Sequence, residues 1–181
     1  MTIHNMHDSL IKGGEGEPEV IAILEKQFGI SCRDVRLDPR AQKDDIDYYY
    51  TIGNNPTEHG LEIKTDFYFP KNVALEVIST IQSTNPYKGT EGCILKTKSD
   101  RLAYYFIKHN KLIMCETKGL QKFTLDAWKS GKYRQVEIDN RSEINKEVKW
   151  RALVILVPVK EFEQQKFITK IINNTKEILN G

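Results

Sequence analysis

At 181 residues, the chain has room for one domain with a sizeable core, whereas two separate cores would each be marginal. Hydrophobic residues make up 39% and charged residues 29%, which excludes wholesale disorder. The formal charge of +2 selects no partner. No apolar run approaches the roughly 18 residues that cross a bilayer, and the polar stretch Met1 to Glu17 lacks the apolar segment of a secretory signal. The reading is a single domain over 1–181, soluble and cytoplasmic, with no membrane partner.

In chain order, residues 1–16 read as a flexible lead containing Gly13, Gly14 and Gly16. Pro18 to Phe28 then places Val20, Ile21, Ile23, Leu24 and Phe28 at helical spacing, with Pro18 suited to a first turn and Gly29 as the stop. Ile30 to Leu37 reads as extended. Ile46 to Ile52, Gly60 to Phe67 and Val73 to Thr80 are rich in β-branched and aromatic residues, and their short connections predict an antiparallel meander. Ser99 to Lys108 reads as a helix capped by Ser99 or Asp100, Lys111 to Glu116 as a strand, and Leu120 to Lys129 as a helix stopped by Gly131. Trp150 to Val159 reads as a buried strand, and 160–181 as a C-terminal helix. This order predicts an α/β or α+β fold with a central mixed sheet.

Charge is unevenly spread. Residues 1–87 carry 8 Lys/Arg against 14 Asp/Glu, and residues 88–134 carry 11 against 4. Either a cation-requiring acidic site adjoins a surface that attracts polyanions, or the imbalance is spread over solvated faces. Cys32, Cys93 and Cys115 are too widely spaced to suggest disulfides or a zinc knuckle and read as buried thiols. The histidines lack metal-ligand spacing, and Gly13-Gly14-Glu15-Gly16 lacks the Lys-Ser/Thr of a phosphate loop.

The chemistry-bearing residues fall on two neighbouring strands. Side chains alternate along a strand, so Glu62 and Lys64 share a face while Ile63 points the other way. A hairpin can bring Asp47 beside them. Glu62 is an acid set between Leu61 and Ile63, which costs free energy unless the charge is paired or bound to a cation. Two carboxylates, with the Ile63 carbonyl as a third ligand, suit Mg²⁺, with Mn²⁺ as its substitute. Such an ion polarises phosphorus and acidifies water for phosphodiester cleavage. Lys64 can orient the attacking water and offset growing negative charge; dense carboxylates raise its pKa and argue against a general base.

The Asp47 and Glu62-Ile63-Lys64 pattern resembles the PD-(D/E)XK nuclease superfamily, in which an acid on one strand precedes a Glu-x-Lys on the next. The likeness extends over roughly residues 12–116 and is to the small phage and mobile-element members, including archaeal-type Holliday-junction resolvases. It implies a restriction-endonuclease-like mixed sheet flanked by helices. It also implies an upstream helix glutamate supporting the metal site, for which Glu19 matches best by position and Glu17 second. Ile46 stands where the superfamily's nominal proline would be, which leaves Asp45 open as the ligand beside the preferred Asp47.

Glu76, a second acid in an apolar strand, either completes the site or holds Lys64, or else lies on the rim. Lys88, Lys96, Lys98 and Arg101 either contact phosphates without reading sequence or are solvated cations. The tyrosines Tyr48 to Tyr50 divide between core packing and base stacking. These residues point to a Mg²⁺-dependent nuclease acting on DNA, including branched or structured DNA. The alternatives are a nucleic-acid-binding or regulatory protein with a nuclease-like fold and weak or no catalysis, and an RNA-directed nuclease. A homodimer would supply two active sites for cutting two strands.

Overall fold

The computed structural model describes residues 6–66, 71–81, 89–141 and 148–180, with side chains described for 16–66, 71–79, 89–138 and 151–180. Helix α1 (Met6–Phe28) leads into strand β1 (Ile30–Asp34), the short helix α2 (Pro39–Lys43), β2 (Tyr48–Ile52) and β3 (Asn55–Asp66). Then come β4 (Asn72–Ile81), β5 (Thr90–Glu91), α3 (Cys93–Lys96), β6 (Arg101–Phe106), β7 (Lys111–Glu116) and α4 (Thr117–Ser130). The chain finishes with β8 (Arg134–Arg141), β9 (Val148–Pro158), α5 (Val159–Phe162), β10 (Ile168–Ile172) and α6 (Thr175–Asn180).

The architecture is mixed α/β, with two sheets. One has six strands in the order β1-β2-β3-β6-β7-β10, and the other has four in the order β5-β4-β9-β8. In the first, β3 and β6 run parallel and every other pair is antiparallel; the second is antiparallel throughout. The two sheets share one core. Leu102, Tyr104, Phe106, Ile113 and Cys115 of the first pack with Val73, Leu75, Leu153, Ile155 and Val157 of the second, beneath Leu120 of α4. On the opposite face of the first sheet, Val20, Ile23 and Leu24 of α1 bury Leu61, Ile63, Ala103 and Tyr105. Among the described residues, no helix is long and apolar enough to cross a membrane.

Four elements differ from the sequence expectation. Arg101–Phe106 is a strand rather than a helix. It lies between β3 and β7, and Leu102 to Phe106 are all buried, so apolar residues fall on both faces and the strand period disappears. The 73–80 strand leaves the expected meander and pairs with β9 in the other sheet. The 160–181 tail is not one helix. Ile168–Ile172, β-branched and close-spaced, adds β10 to the free edge of β7, where strand pairing satisfies main-chain groups that a surface helix would leave at an open edge.

The helix expected from Pro18 begins at Met6, so Pro18 lies inside α1 and the Gly14 carbonyl loses its helical donor there. Gly16 is buried in this helix rather than part of a lead. A Cβ built on it would stand 2.7 Å from both Thr65 Cγ2 and Ile107 Cδ1, so glycine lets α1 press against the end of β3.

Candidate functional site

Asp47 precedes β2 and is tied to both neighbouring segments. Its N–H donates to the Leu61 carbonyl at 3.0 Å, and its own carbonyl accepts from Val35 N–H at 3.0 Å. Its carboxylate Oδ2 accepts from the Ile63 main-chain N–H at 2.8 Å. In an extended strand, one residue's N–H and C=O project toward the same edge. The Ile63 carbonyl therefore faces the Asp47 side, beyond the point where β2 pairing begins at Tyr48.

Alternation along β3 sends Leu61 and Ile63 into the α1 core and turns Glu62 and Lys64 to the face covered by the second sheet. Glu62 is 3% exposed. One of its carboxylate oxygens, Oε1, takes the Lys64 ammonium, and the other, Oε2, is buried without a hydrogen-bond partner among the described residues. A buried orphan oxygen of this kind costs about 1–3 kcal/mol or more. Burial pushes the Glu62 carboxyl up to about 8, with the Asp47 charge adding to the rise and Lys64 opposing it. For Lys64 burial opposes the ammonium, but its electrostatic interactions with Cys93, Glu62 and Asp47 and its hydrogen bond to Glu62 outweigh it and lift the pKa well above the ordinary lysine value. The Lys64 side chain remains 32% exposed, so it keeps its proton and reaches solvent.

Across from Lys64, β4 supplies Glu76 and the start of α3 supplies Cys93. The Cys93 N–H donates to Glu76 Oε1 at 3.4 Å. A Cβ on Gly92 would lie 2.5 Å from the Glu76 carbonyl oxygen, so only glycine allows α3 to sit this close. Burial raises the Glu76 carboxyl, while the Cys93 hydrogen bond and Lys64 lower it. Burial pushes the Cys93 thiol up to about 12, and Lys64 pulls it down. Cys93 thus stands next to the site as a neutral thiol. Nothing in its spacing from the other cysteines signals this, because β4 and α3 meet β3 only in the tertiary fold.

On α1, the acid that faces Asp47 is Glu17. Burial raises its carboxyl, the Asp47 charge adds to the rise, and Arg36 and Lys64 lower it; its Oε2 accepts from Arg36 Nη1 at 2.5 Å. Glu19 instead accepts from the Tyr105 hydroxyl at 2.8 Å, which itself lies 3.2 Å from Thr175 Oγ1. Residues two apart on a helix do not face the same way, so the positional ranking of Glu19 before Glu17 is reversed in space.

Asp45, left open as the alternative ligand, does not share a strand face with Asp47. Asp45 has φ 51° in the turn before β2, and its carboxylate takes the Lys96 ammonium at 2.8 Å. Its carbonyl accepts from Thr97 Oγ1 at 2.6 Å, in a buried hydroxyl chain that runs through Ser99 to Thr117.

The candidate phosphate contacts are dispersed. Lys96 is paired with Asp45, and Lys98 with Asp44 at 2.6 Å. Both lysines are exposed, and such pairs are weak enough to exchange partners. Arg101 lines a groove on the α1 side with Leu24, Phe28 and Tyr50, away from Glu62. Lys88 lies outside the described residues. Tyr48 is buried with the Arg36 guanidinium 5.4 Å from its ring centroid, and Tyr50 stacks obliquely on His59.

Among the described residues, no three His, Cys, Asp or Glu side chains converge tightly enough to hold an ion by themselves. The fit to a hard divalent cation rests on the Asp47 and Glu62 carboxylates, the Ile63 carbonyl and the unsatisfied Glu62 Oε2. These are oxygen donors of the kind Mg²⁺ takes in small number, with waters completing the shell. Comparison with known protein families, curated proteins and solved structures found no match.

Proposed function

We propose that the chain is a Mg²⁺-dependent nuclease that hydrolyses DNA phosphodiester bonds, structured or branched DNA included, on a restriction-endonuclease-like sheet. One observation carries the reading: a buried Glu62 with an oxygen that has no partner among the described residues, beside a protonated Lys64 and next to Asp47. A charge-bearing group is costly there unless function requires it. A mixed sheet with an acid leading β2 and Glu-x-Lys on its antiparallel neighbour supports the fold side of the reading.

In this reading Asp47, Glu62 and the Ile63 carbonyl hold the ion. Bound Mg²⁺ supplies Lewis-acid polarisation of a phosphoryl oxygen and eases deprotonation of water. Asp47 is held in place by the Ile63 N–H and needs little reorganisation. Lys64, whose proton is retained, donates hydrogen bonds to a water or phosphate oxygen and offsets developing negative charge. Glu17, anchored by Arg36, adds a hydrogen-bond acceptor on the Asp47 side.

The test incubates purified protein with labelled supercoiled, linear, single-stranded and four-way-junction DNA, and with RNA of matching sequence, in Mg²⁺ or EDTA. Cleavage that needs Mg²⁺ and is lost in Glu62→Ala and Lys64→Ala supports the reading. Undiminished cleavage in both variants overturns it. The pairing of Lys64 with Glu62 favours a second reading, a nucleic-acid-binding protein in which the lysine, not a metal, neutralises the acid. That protein binds DNA with steep salt dependence and cleaves no substrate.

A further inference from the structure

The parallel ladder of β3 and β6 continues past the carboxylate cluster: Lys64 lies opposite Tyr104, and Asp66 opposite Phe106. Where the ladder ends, a cavity of about 450 Å³ opens, lined by Lys71, Phe106, His109, Lys111, Pro158, Val159, Lys160 and Glu163. The second sheet closes its far side, since the Val159 N–H donates to the Lys71 carbonyl at 3.0 Å and Asn72 pairs with Pro158. The floor is apolar, with Phe106 fully buried, and the mouth is cationic. Lys111 is neutralised by Glu163 at 2.6 Å. Lys71 and Lys160 are exposed and have no carboxylate partner among the described residues, unlike Lys96, Lys98 and Lys132, which are all paired.

Phe106 stands two residues along the ladder from Tyr104, about 7 Å at the rise of a strand, and on the same inter-sheet face. That is about two stacked nucleotides of a nucleic-acid strand. We propose that this cavity is a nucleic-acid subsite: Lys71 and Lys160 hold a backbone phosphate, and the attached sugar or base rests against the half-buried Pro158 and Val159. The register with Lys64 rests on the reading of the Asp47, Glu62 and Lys64 cluster as a phosphodiester site. The anion-holding chemistry is the cavity's own. An apolar floor under two cations that have no carboxylate partner among the described residues suits a nucleotide better than a bare inorganic anion, because both halves of the ligand find a partner.

The test measures fluorescence anisotropy in EDTA, where no metal-dependent cleavage occurs, with fluorescein-labelled single-stranded DNA, duplex DNA and single-stranded RNA, between about 50 and 200 mM salt. The full chain is compared with Lys71→Glu/Lys160→Glu, with the milder Lys71→Ala/Lys160→Ala, and with Lys122→Glu/Lys129→Glu on α4, which changes the net charge equally. Circular dichroism checks that each variant is folded. The cavity variants are expected to weaken binding at least tenfold and to flatten the log–log salt slope by about 0.7 to 0.9, the loss of one neutralised phosphate; the α4 variant is expected to stay within about twofold. Isothermal titration with inorganic phosphate and with a nucleoside monophosphate should show the nucleotide binding more tightly. Equal losses in the cavity and α4 variants, or no binding of any probe by the unmodified chain, overturns the subsite. Lys71- and Lys160-dependent binding without Mg²⁺-dependent cleavage removes only the nuclease reading. Lys64-dependent cleavage with cavity variants indistinguishable from the α4 control removes only the subsite.

Discussion

Asp47 accepts a hydrogen bond from the Ile63 main-chain N–H at 2.8 Å, so an acid at the start of one strand is clamped to the residue between Glu62 and Lys64 on the next. The clamp is both structural and chemical, and the two roles separate by substitution. Asp47→Asn keeps an acceptor for Ile63 and should change stability by less than about 1 kcal/mol, while Asp47→Ala leaves a part-buried donor unsatisfied and should cost about 1–3 kcal/mol. Both should abolish Mg²⁺-dependent cleavage. Thermal melts alongside cleavage assays check this; full activity in Asp47→Asn would remove Asp47 from the metal site.

Glu62 should impose a pH slope on stability. Its folded-state carboxyl sits at about 8, against 4.5 for the ordinary group, so between those values the folded chain holds a proton that the unfolded chain has released. Stability therefore falls as pH rises through that window and levels off above it. Glu62→Gln lacks the slope. In EDTA its melting temperature should gain on the unmodified protein from about pH 5 to about pH 8, and Mg²⁺ should stabilise the unmodified protein more at the alkaline end, where no proton need be displaced. Parallel melting curves for the two proteins would contradict this.

Because Lys64 retains its proton, charge rather than basicity is what it contributes. Lys64→Arg should then keep at least about tenfold more cleavage than Lys64→Ala, which should lose about 10²- to 10³-fold. The rate comparison is made at saturating substrate. Equal losses in the two variants would favour a proton-accepting lysine.

The two helix acids should differ. Glu17→Gln removes a charge that faces Asp47 and should lower cleavage and shift its pH profile. Glu19→Gln touches, among the described residues, the Tyr105 hydrogen bond and should cost about 1 kcal/mol of stability with little change in rate. A larger catalytic loss in Glu19→Gln would mean that α1 is rotated relative to β3.

Gly92 is a packing requirement of the site's second wall. In Gly92→Ala the new methyl meets the Glu76 main-chain oxygen, and backbone must move, at a cost of about 1–3 kcal/mol. Chemical denaturation measures the loss, and unchanged stability would mean that α3 sits farther from β4.

Local sequence was sufficient for what depends on period alone. Alternation along Leu61-Glu62-Ile63-Lys64 already put the acid and the lysine on one face and the two apolar residues on the other, because a strand's side-chain period does not depend on its partner. The helix around Val20, Ile23 and Leu24 and the strand beginning at Lys111 were legible for the same reason.

What needed the tertiary structure was everything decided by contacts distant in sequence. Leu102 to Phe106 form a central strand, yet their burial on both faces erases the alternation that would announce it. Residues 73–80 have strand character, but nothing local says that they pair with β9 rather than β3. Which of Glu17 and Glu19 faces Asp47 depends on the rotation of α1, set by the burial of Val20, Ile23 and Leu24 against the first sheet, with Gly16 allowing the close approach to Thr65 and Ile107. Cys93 reaches Lys64 only because Gly92 lets α3 close on Glu76. Periodicity is a property of neighbouring residues, whereas pairing, helix rotation and the walls of a site are fixed by which apolar surfaces bury one another.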